Sequence, residues 1–139
     1  MFIKTTKGNF KKVPTGKQVL YITDVKLVPS GKPQMVEFYY SHESGATLKE
    51  TLKFNHPVAS DILGQRVDTL YNGTMKEGTE IDTSDLPTMF NHKGVNAFIK
   101  HVEGKTDGEL NGKIYVNIGY VESYFEYPKT VDEEADDDL

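Results

Sequence analysis

The chain has 139 residues, a formal net charge of −5 and no cysteine. That length holds one domain with a real core and is too short for two ordinary ones, and the lack of thiols excludes disulfides and thiolate metal sites. Nothing near Met1 resembles the apolar stretch of a signal peptide, and no run approaches the roughly 20 apolar residues that cross a bilayer, so a soluble, cytoplasmic protein is expected.

The charge is unevenly placed. Between residues 129 and 139, Lys129 stands against Asp132, Glu133, Glu134, Asp136, Asp137 and Asp138, so this stretch carries the whole imbalance and residues 1–128 are neutral. The first 17 residues hold Lys4, Lys7, Lys11, Lys12 and Lys17 and no acid. Like-charge blocks repel themselves and bury little apolar surface. The expected organisation is a basic arm over 1–17, a folded body over 18–128 and a disordered acidic tail over 129–139.

Within the body, Gln18 to Val28 (QVLYITDVKLV) is rich in β-branched and aromatic residues and stops at Pro29-Ser30-Gly31-Lys32-Pro33, a turn signal. Gln34 to Ser41 (QMVEFYYS) reads as a second strand. After the turn His42-Glu43-Ser44-Gly45, Ala46 to Phe54 alternates Leu48, Leu52 and Phe54 with Lys49, Thr51 and Lys53, the period of a half-buried strand. Three strands with short connections predict an antiparallel meander.

The period then changes to that of a helix. Asn55 or His56 can cap, Pro57 suits the first turn, and Val58, Ile62, Leu63, Val67, Leu70 and Tyr71 recur at helical spacing until Asn72-Gly73 ends the run. Residues 74 to 92 form a polar connection with a short helical turn near Ser84 to Met89. Val95 to Val102 and Lys113 to Glu126 read as strands joined by a loop over Glu103 to Gly112. The resulting fold class is mainly β. Three strands, a helix and two strands is the order of an OB-fold, a five-stranded Greek-key barrel with one helix between strands 3 and 4, which binds oligonucleotides or oligosaccharides across its strands 2 and 3 and two flanking loops; an α+β roll or another small barrel can share that order.

Strand parity assigns faces. Val36, Phe38, Tyr40, Leu48, Leu52, Phe54, Val95, Ala97, Ile99, Ile114, Val116 and Ile118 are expected inside, and Tyr39, Lys49, Thr51, Lys53, Asn96, Phe98, Lys100, Tyr115 and Asn117 outside. Glu37 falls on the outward parity and Glu50 on the inward one. The outward set mixes aromatic rings with lysines, which suits a single-strand binder: bases stack on rings while ammonium groups follow phosphates. Lys26 and Lys32 in one flanking region, and Lys105 and Lys113 in the other, complete the candidate nucleic-acid-binding set of Lys26, Lys32, Tyr39, Lys49, Lys53, Phe98, Lys100, Lys105, Lys113 and Tyr115. Each residue also has an ordinary explanation, since an outward Tyr is commonly a cross-strand packing partner and a strand Lys a solubilising charge.

The stretch VPTGKQVLYITDVKLVPSGKPQMVEFYY, with DGELNGKIYVNIGYVESYFEY and the acidic end, resembles the small single-stranded DNA-binding proteins of bacteriophages that infect Gram-positive hosts. The shared features are a V-P-x-G before strand one, a Gly-Lys-Pro turn into strand two, a Gly-Lys-x-Tyr lead into the last strand and an acid-rich terminus. The resemblance spans most of residues 13 to 139. It implies an OB-fold, sequence-tolerant binding of single-stranded DNA in phage replication or recombination in the cytoplasm of an infected host, frequent homo-oligomerisation and no cofactor. Bacterial single-strand binders usually end in an acidic run tipped by Ile-Pro-Phe that docks replication or recombination proteins. Here the chain ends Asp136-Asp137-Asp138-Leu139, a much smaller anchor for such partners; the readings left for the tail are docking of replication or recombination proteins, competition with DNA through its charge, and a solvating segment with no specific role.

Other chemistries find little support. His42, His56, His92 and His101 lack metal-ligand spacing, Asp82 and Asp85 suit a loop or a helix cap, and no nucleophile elbow or phosphate-binding glycine loop is present. An enzyme is not expected. The competing class is a small β-barrel used for protein interaction, modulating a host or replication protein through the same outward aromatics.

Overall fold

The structure, a computed structural model, describes Met1, residues 12–106 and residues 109–126, with side chains placed through residue 104 and again from residue 114. Most of the basic arm, the whole acidic segment 129–139 and the side chains of Lys105 and Lys113 lie outside the described residues.

Five strands appear in chain order: β1 Gly16–Val28, β2 Met35–Ser41, β3 Thr47–Lys53, β4 Lys93–Thr106 and β5 Glu109–Glu126. Helix α1, Pro57–Leu70, lies between β3 and β4, and is followed by a 3-10 turn at Thr83–Asp85 and a short helix α2, Leu86–Phe90. All pairings are antiparallel, and the strands make one sheet in the order β3-β2-β1-β4-β5.

β1 belongs to both halves of this sheet. Its first part, Gly16 to Tyr21, pairs with β4, and its second, Tyr21 to Val28, pairs with β2. A bulge between Ile22 and Asp24 separates the two, and an extra residue there shifts the alternation so that Leu20 and Ile22 before it and Val25 after it all point inward. Thr23, at the bulge, donates its hydroxyl to the Tyr39 carbonyl at 3.2 Å.

α1 begins where His56 caps it by accepting from the Ala59 N–H, with Pro57 in the first turn. It ends where Asn72 and Gly73 turn left-handed and Gly73 N–H reaches back to the Asp68 carbonyl at 2.8 Å, closing the last turn. The buried face is Ala59, Leu63, Arg66 and Val67. Val58 and Tyr71, which share the helical spacing, are exposed instead. α1 packs on β3 and β5, and α2 on β1.

The interior holds Leu20, Ile22, Val36, Phe38, Tyr40, Leu52, Val95, Ala97 and Ile99, joined by Leu86 and Phe90 from the α2 region. Phe38 meets Phe90 edge-on at 5.3 Å, and Phe90 meets Tyr124 at 5.4 Å. Val13, within the sequence's basic arm, is also buried, and its carbonyl is hydrogen-bonded to His101 Nε2 at 2.6 Å.

Three expectations are corrected. Within the loop expected over Glu103 to Gly112, residues 103–106 belong to β4 and 109–112 to β5, and the ladder between them reaches Lys105↔Leu110 and Thr106↔Glu109. Polar, glycine-rich residues suit a ladder that needs no core, because beyond Ile99 β4 has left β1 and pairs with β5 alone. For the same reason Ile114, expected inside, is 41% exposed. Finally, among the described residues no ladder joins β3 to β5, so the sheet is open along that seam rather than a closed barrel. A cleft of about 320 Å³ separates the two edges, lined by Leu48, Glu50 and Leu52 on one side and Val116 and Ile118 on the other.

Candidate nucleic-acid interface

Two groups of outward side chains stand on the sheet. The first surrounds Tyr39 on β2, whose neighbours across the ladders are Asp24 on β1 and Lys49 on β3. Tyr39 donates its hydroxyl to Glu37 Oε1 at 2.8 Å, and Lys49 Nζ bonds Glu37 Oε2 at 2.9 Å. Lys26 Nζ lies 5.0 Å from the centre of the Tyr39 ring and 3.8 Å from Asp24, and Lys49 Nζ lies 5.8 Å from the same ring. Two ammonium groups thus rest on one aromatic ring and are matched by two carboxylates. The hydrogen bonds from Lys49 and then Tyr39 hold the Glu37 carboxyl below its usual range. The same carboxylate raises both the Tyr39 phenol and the Lys49 ammonium.

Lys53 faces the same side, opposite Met35 at the far end of the β2–β3 ladder, and Lys32 is exposed in the β1–β2 turn. Lys26, Tyr39, Lys49 and Lys53 therefore share one face of one half-sheet.

The second group stands on the β1–β4–β5 half. Lys17, Phe98 and Tyr120 lie in one row across the three strands. The Phe98 and Tyr120 rings are stacked with centres 5.3 Å apart and planes 4° from parallel, and Tyr120 remains 50% exposed. Lys17 is 3.6 Å from Glu122. Lys100 pairs across the ladder with Asn117, and its stem lies over Gly119, where a Cβ would come 2.8 Å from Lys100 Cε. Further along the hairpin Tyr115, 48% exposed, faces Val102. The candidate residues thus divide between two clusters: Phe98, Lys100 and Tyr115 do not join the Tyr39 group.

Tyr120 and Lys17 are absent from the set derived by strand parity. In β5 the outward alternation of Tyr115 and Asn117 would continue to residue 119 and place Tyr120 inside. The ladder instead slips, pairing Phe98 with Tyr120 and Ile99 with Ile118, so Gly119 is an extra residue and Tyr120 turns outward. A second slip between Asn96 and Ala97 leaves Val121 and Tyr124 packed against the core, with Phe125 above Gly94. A glycine inside a strand was the one local sign of the first slip.

Glu50, on the inward parity, is accounted for by Arg66. The two form a pair with N–O distances of 2.7 and 2.8 Å, and Glu50 also accepts from the Tyr40 hydroxyl at 3.0 Å. Burial works against the Arg66 charge, but the Glu50 hydrogen bonds and charge outweigh it and hold the guanidinium above its ordinary value. Burial likewise raises the Tyr124 phenol.

His42, His56, His101 and the Asp82 region do structural work. His42 is buried and bonded through its two ring nitrogens to Gln18 and Ser44, and His56 caps α1. Asp82 accepts from the Ser84 N–H at 3.0 Å and from its hydroxyl at 2.7 Å, which keeps its carboxyl below the usual range. Among the described residues no three His, Asp or Glu side chains converge to hold a metal ion, and no helix is long and apolar enough to cross a membrane. No protein-family model matches this chain, and no curated protein matches it significantly.

Proposed function

We propose that this chain binds single-stranded DNA in a sequence-tolerant way, on an OB-like sheet, in phage replication or recombination. The observation that carries the reading is the separation of faces: aliphatic and aromatic side chains are buried on one face of the sheet, while the other carries two groups of rings and lysines, Tyr39 with Lys26 and Lys49, and Phe98 and Tyr120 with Lys17 and Lys100. Rings give stacking surface to any base, and lysines give charge to any phosphate, so neither reads sequence. The strand order supports the OB assignment, because β3 and β5 run in the same direction at the two edges with α1 packed on both, the arrangement that closes into a Greek-key barrel across the seam. Neutrality of the body does not oppose it, since local lysine placement rather than net charge sets phosphate contact.

The test is a tyrosine-fluorescence titration with single- and double-stranded oligonucleotides of equal length at several salt concentrations. Preference for the single strand, with log affinity falling linearly against log salt, is expected. Absent or salt-insensitive binding overturns the reading.

One observation favours the second reading, a protein-interaction module. Val102, Ile114 and Tyr115 expose apolar surface on the two-stranded end of the hairpin. Capture of a partner that survives nuclease, together with no oligonucleotide shift, would establish it.

A further inference from the structure

We infer that the base-stacking platform is Tyr120 backed by Phe98, with Lys100 as its phosphate contact, and that Tyr39 serves the lysines instead of a base. The inference rests on the single-strand-binding reading above and narrows it to a site for an unpaired nucleobase and its adjoining phosphate.

The two candidate rings differ in what already occupies them. Tyr39 has two ammonium groups within 6 Å of its centre and its hydroxyl bonded to Glu37. A base reaching that ring must displace at least one cation and disturb an ion pair. Tyr120 has no such cover: half its surface is open, and its plane is held by the parallel Phe98 ring. A ring whose rotamer is already held by packing loses little further freedom when a base stacks on it.

The charges differ in the same direction. Lys17, Lys26, Lys49 and Lys93 each have a carboxylate within 4 Å. Among the described residues Lys100 has none, which it shares with Lys32 and Lys53 of the other half-sheet; what sets it apart is its place beside the open ring, since its stem runs over Gly119, the residue before Tyr120. An exposed ring with an uncompensated ammonium beside it is complementary to a nucleotide, which presents a π-face and an anion a few bonds apart. Two rows further along β4, about 14 Å away at 3.4 Å per residue, Phe125 lies over Gly94 and meets Tyr21 edge-on. An extended strand running along β4 would find a second aromatic position there.

The experiment uses the full chain and oligo-dT, comparing Tyr120→Leu, Tyr120→Phe, Tyr39→Leu and Lys100→Gln by titration, with thermal melting as the folding control. Tyr120→Leu is expected to weaken binding by about 5- to 150-fold, the loss of one stacked base. Tyr120→Phe keeps affinity within about twofold, because a phenyl ring offers the same stacking face. Lys100→Gln reduces the salt slope by about 0.7, one single-strand phosphate. Normal binding by a folded Tyr120→Leu, or a larger loss in Tyr39→Leu, overturns the platform while leaving the function intact. Lost self-association in Tyr120→Leu with unchanged DNA affinity overturns it in favour of an interface between copies. Failure of the unaltered chain to bind oligo-dT overturns the functional reading and the platform together. Should Tyr120→Leu not fold, photo-cross-linking of bromouracil-containing oligonucleotide to the unaltered protein decides: attachment at Tyr120 or Phe98 supports the platform, and attachment at Tyr39 or Tyr115 instead overturns it.

Discussion

Glu50 of β3 and Arg66 of α1 are joined by two hydrogen bonds, 2.7 and 2.8 Å long, with side chains only 16% and 6% exposed. The pair ties the helix to the sheet edge that has no strand beyond it, where ladder hydrogen bonds cannot hold the edge in place.

Removing one member leaves the other charged, desolvated and unpartnered. Arg66→Met is therefore expected to destabilise the fold by about 3 kcal/mol, the lower end for a buried pair because Glu50 retains some solvent. Arg66→Met with Glu50→Gln removes both charges while keeping an acceptor for the Tyr40 hydroxyl, and should recover most of that loss. Urea denaturation of the single and double variants measures it. Equal stability of Arg66→Met and the unaltered chain would show the pair to be solvated in solution.

Gly94 has a steric role. A Cβ there would lie 2.2 Å from Phe125 Cε2 and 2.3 Å from Cζ, far inside van der Waals contact. Gly94→Ala must expel the Phe125 ring and break its edge contact with Tyr21, at a cost of about 1–3 kcal/mol. With Phe125→Ala already in place the same Gly94→Ala change should cost almost nothing, a non-additivity that thermal melting of the four proteins would reveal. Additive losses would mean the ring does not sit over Gly94.

Glu37 acts as a built-in counterion. Because its carboxyl sits below the usual range in the folded protein, the unfolded chain binds the proton more readily, and the stabilisation it gives is present above the ordinary value near 4.3 and lost as pH falls through the folded one. At neutral pH it occupies Lys49, so Glu37→Gln should tighten oligonucleotide binding and steepen its salt dependence. An unchanged slope would place Lys49 outside the DNA contact.

The acidic stretch offers a prediction from charge alone. Residues 129–139 contribute the whole net −5, tethered at high effective concentration to any basic groove. A chain ending at Pro128 should bind single strands more tightly at low salt, with the difference vanishing as salt rises. Weaker binding on truncation would instead assign the stretch a direct part in the complex.

Much of the architecture was legible locally. Alternation of period two in VEFYY and TLKETLK assigned Phe38 and Tyr40 inward and Tyr39 and Lys49 outward, and the His56-Pro57 start and Asn72-Gly73 stop bounded α1. Ile114 departs from its expected burial because parity tells which face a residue takes but not whether anything covers that face. The candidate interface was legible in residue types and less so in grouping, since Lys26, Tyr39 and Lys49 meet across three strands while Phe98 and Lys100 stand elsewhere.

By itself, then, the order of residues determined the strand and helix periods, the turns and the division into apolar and polar faces, because each depends on neighbours a few positions away. Tertiary structure alone decided that Arg66 neutralises Glu50, that the β5 bulge at Gly119 turns Tyr120 outward onto Phe98, and that the hairpin outruns the core. Those outcomes depend on ladder register and on contacts between residues 16 or more positions apart, and a one-residue slip in register reverses every face beyond it.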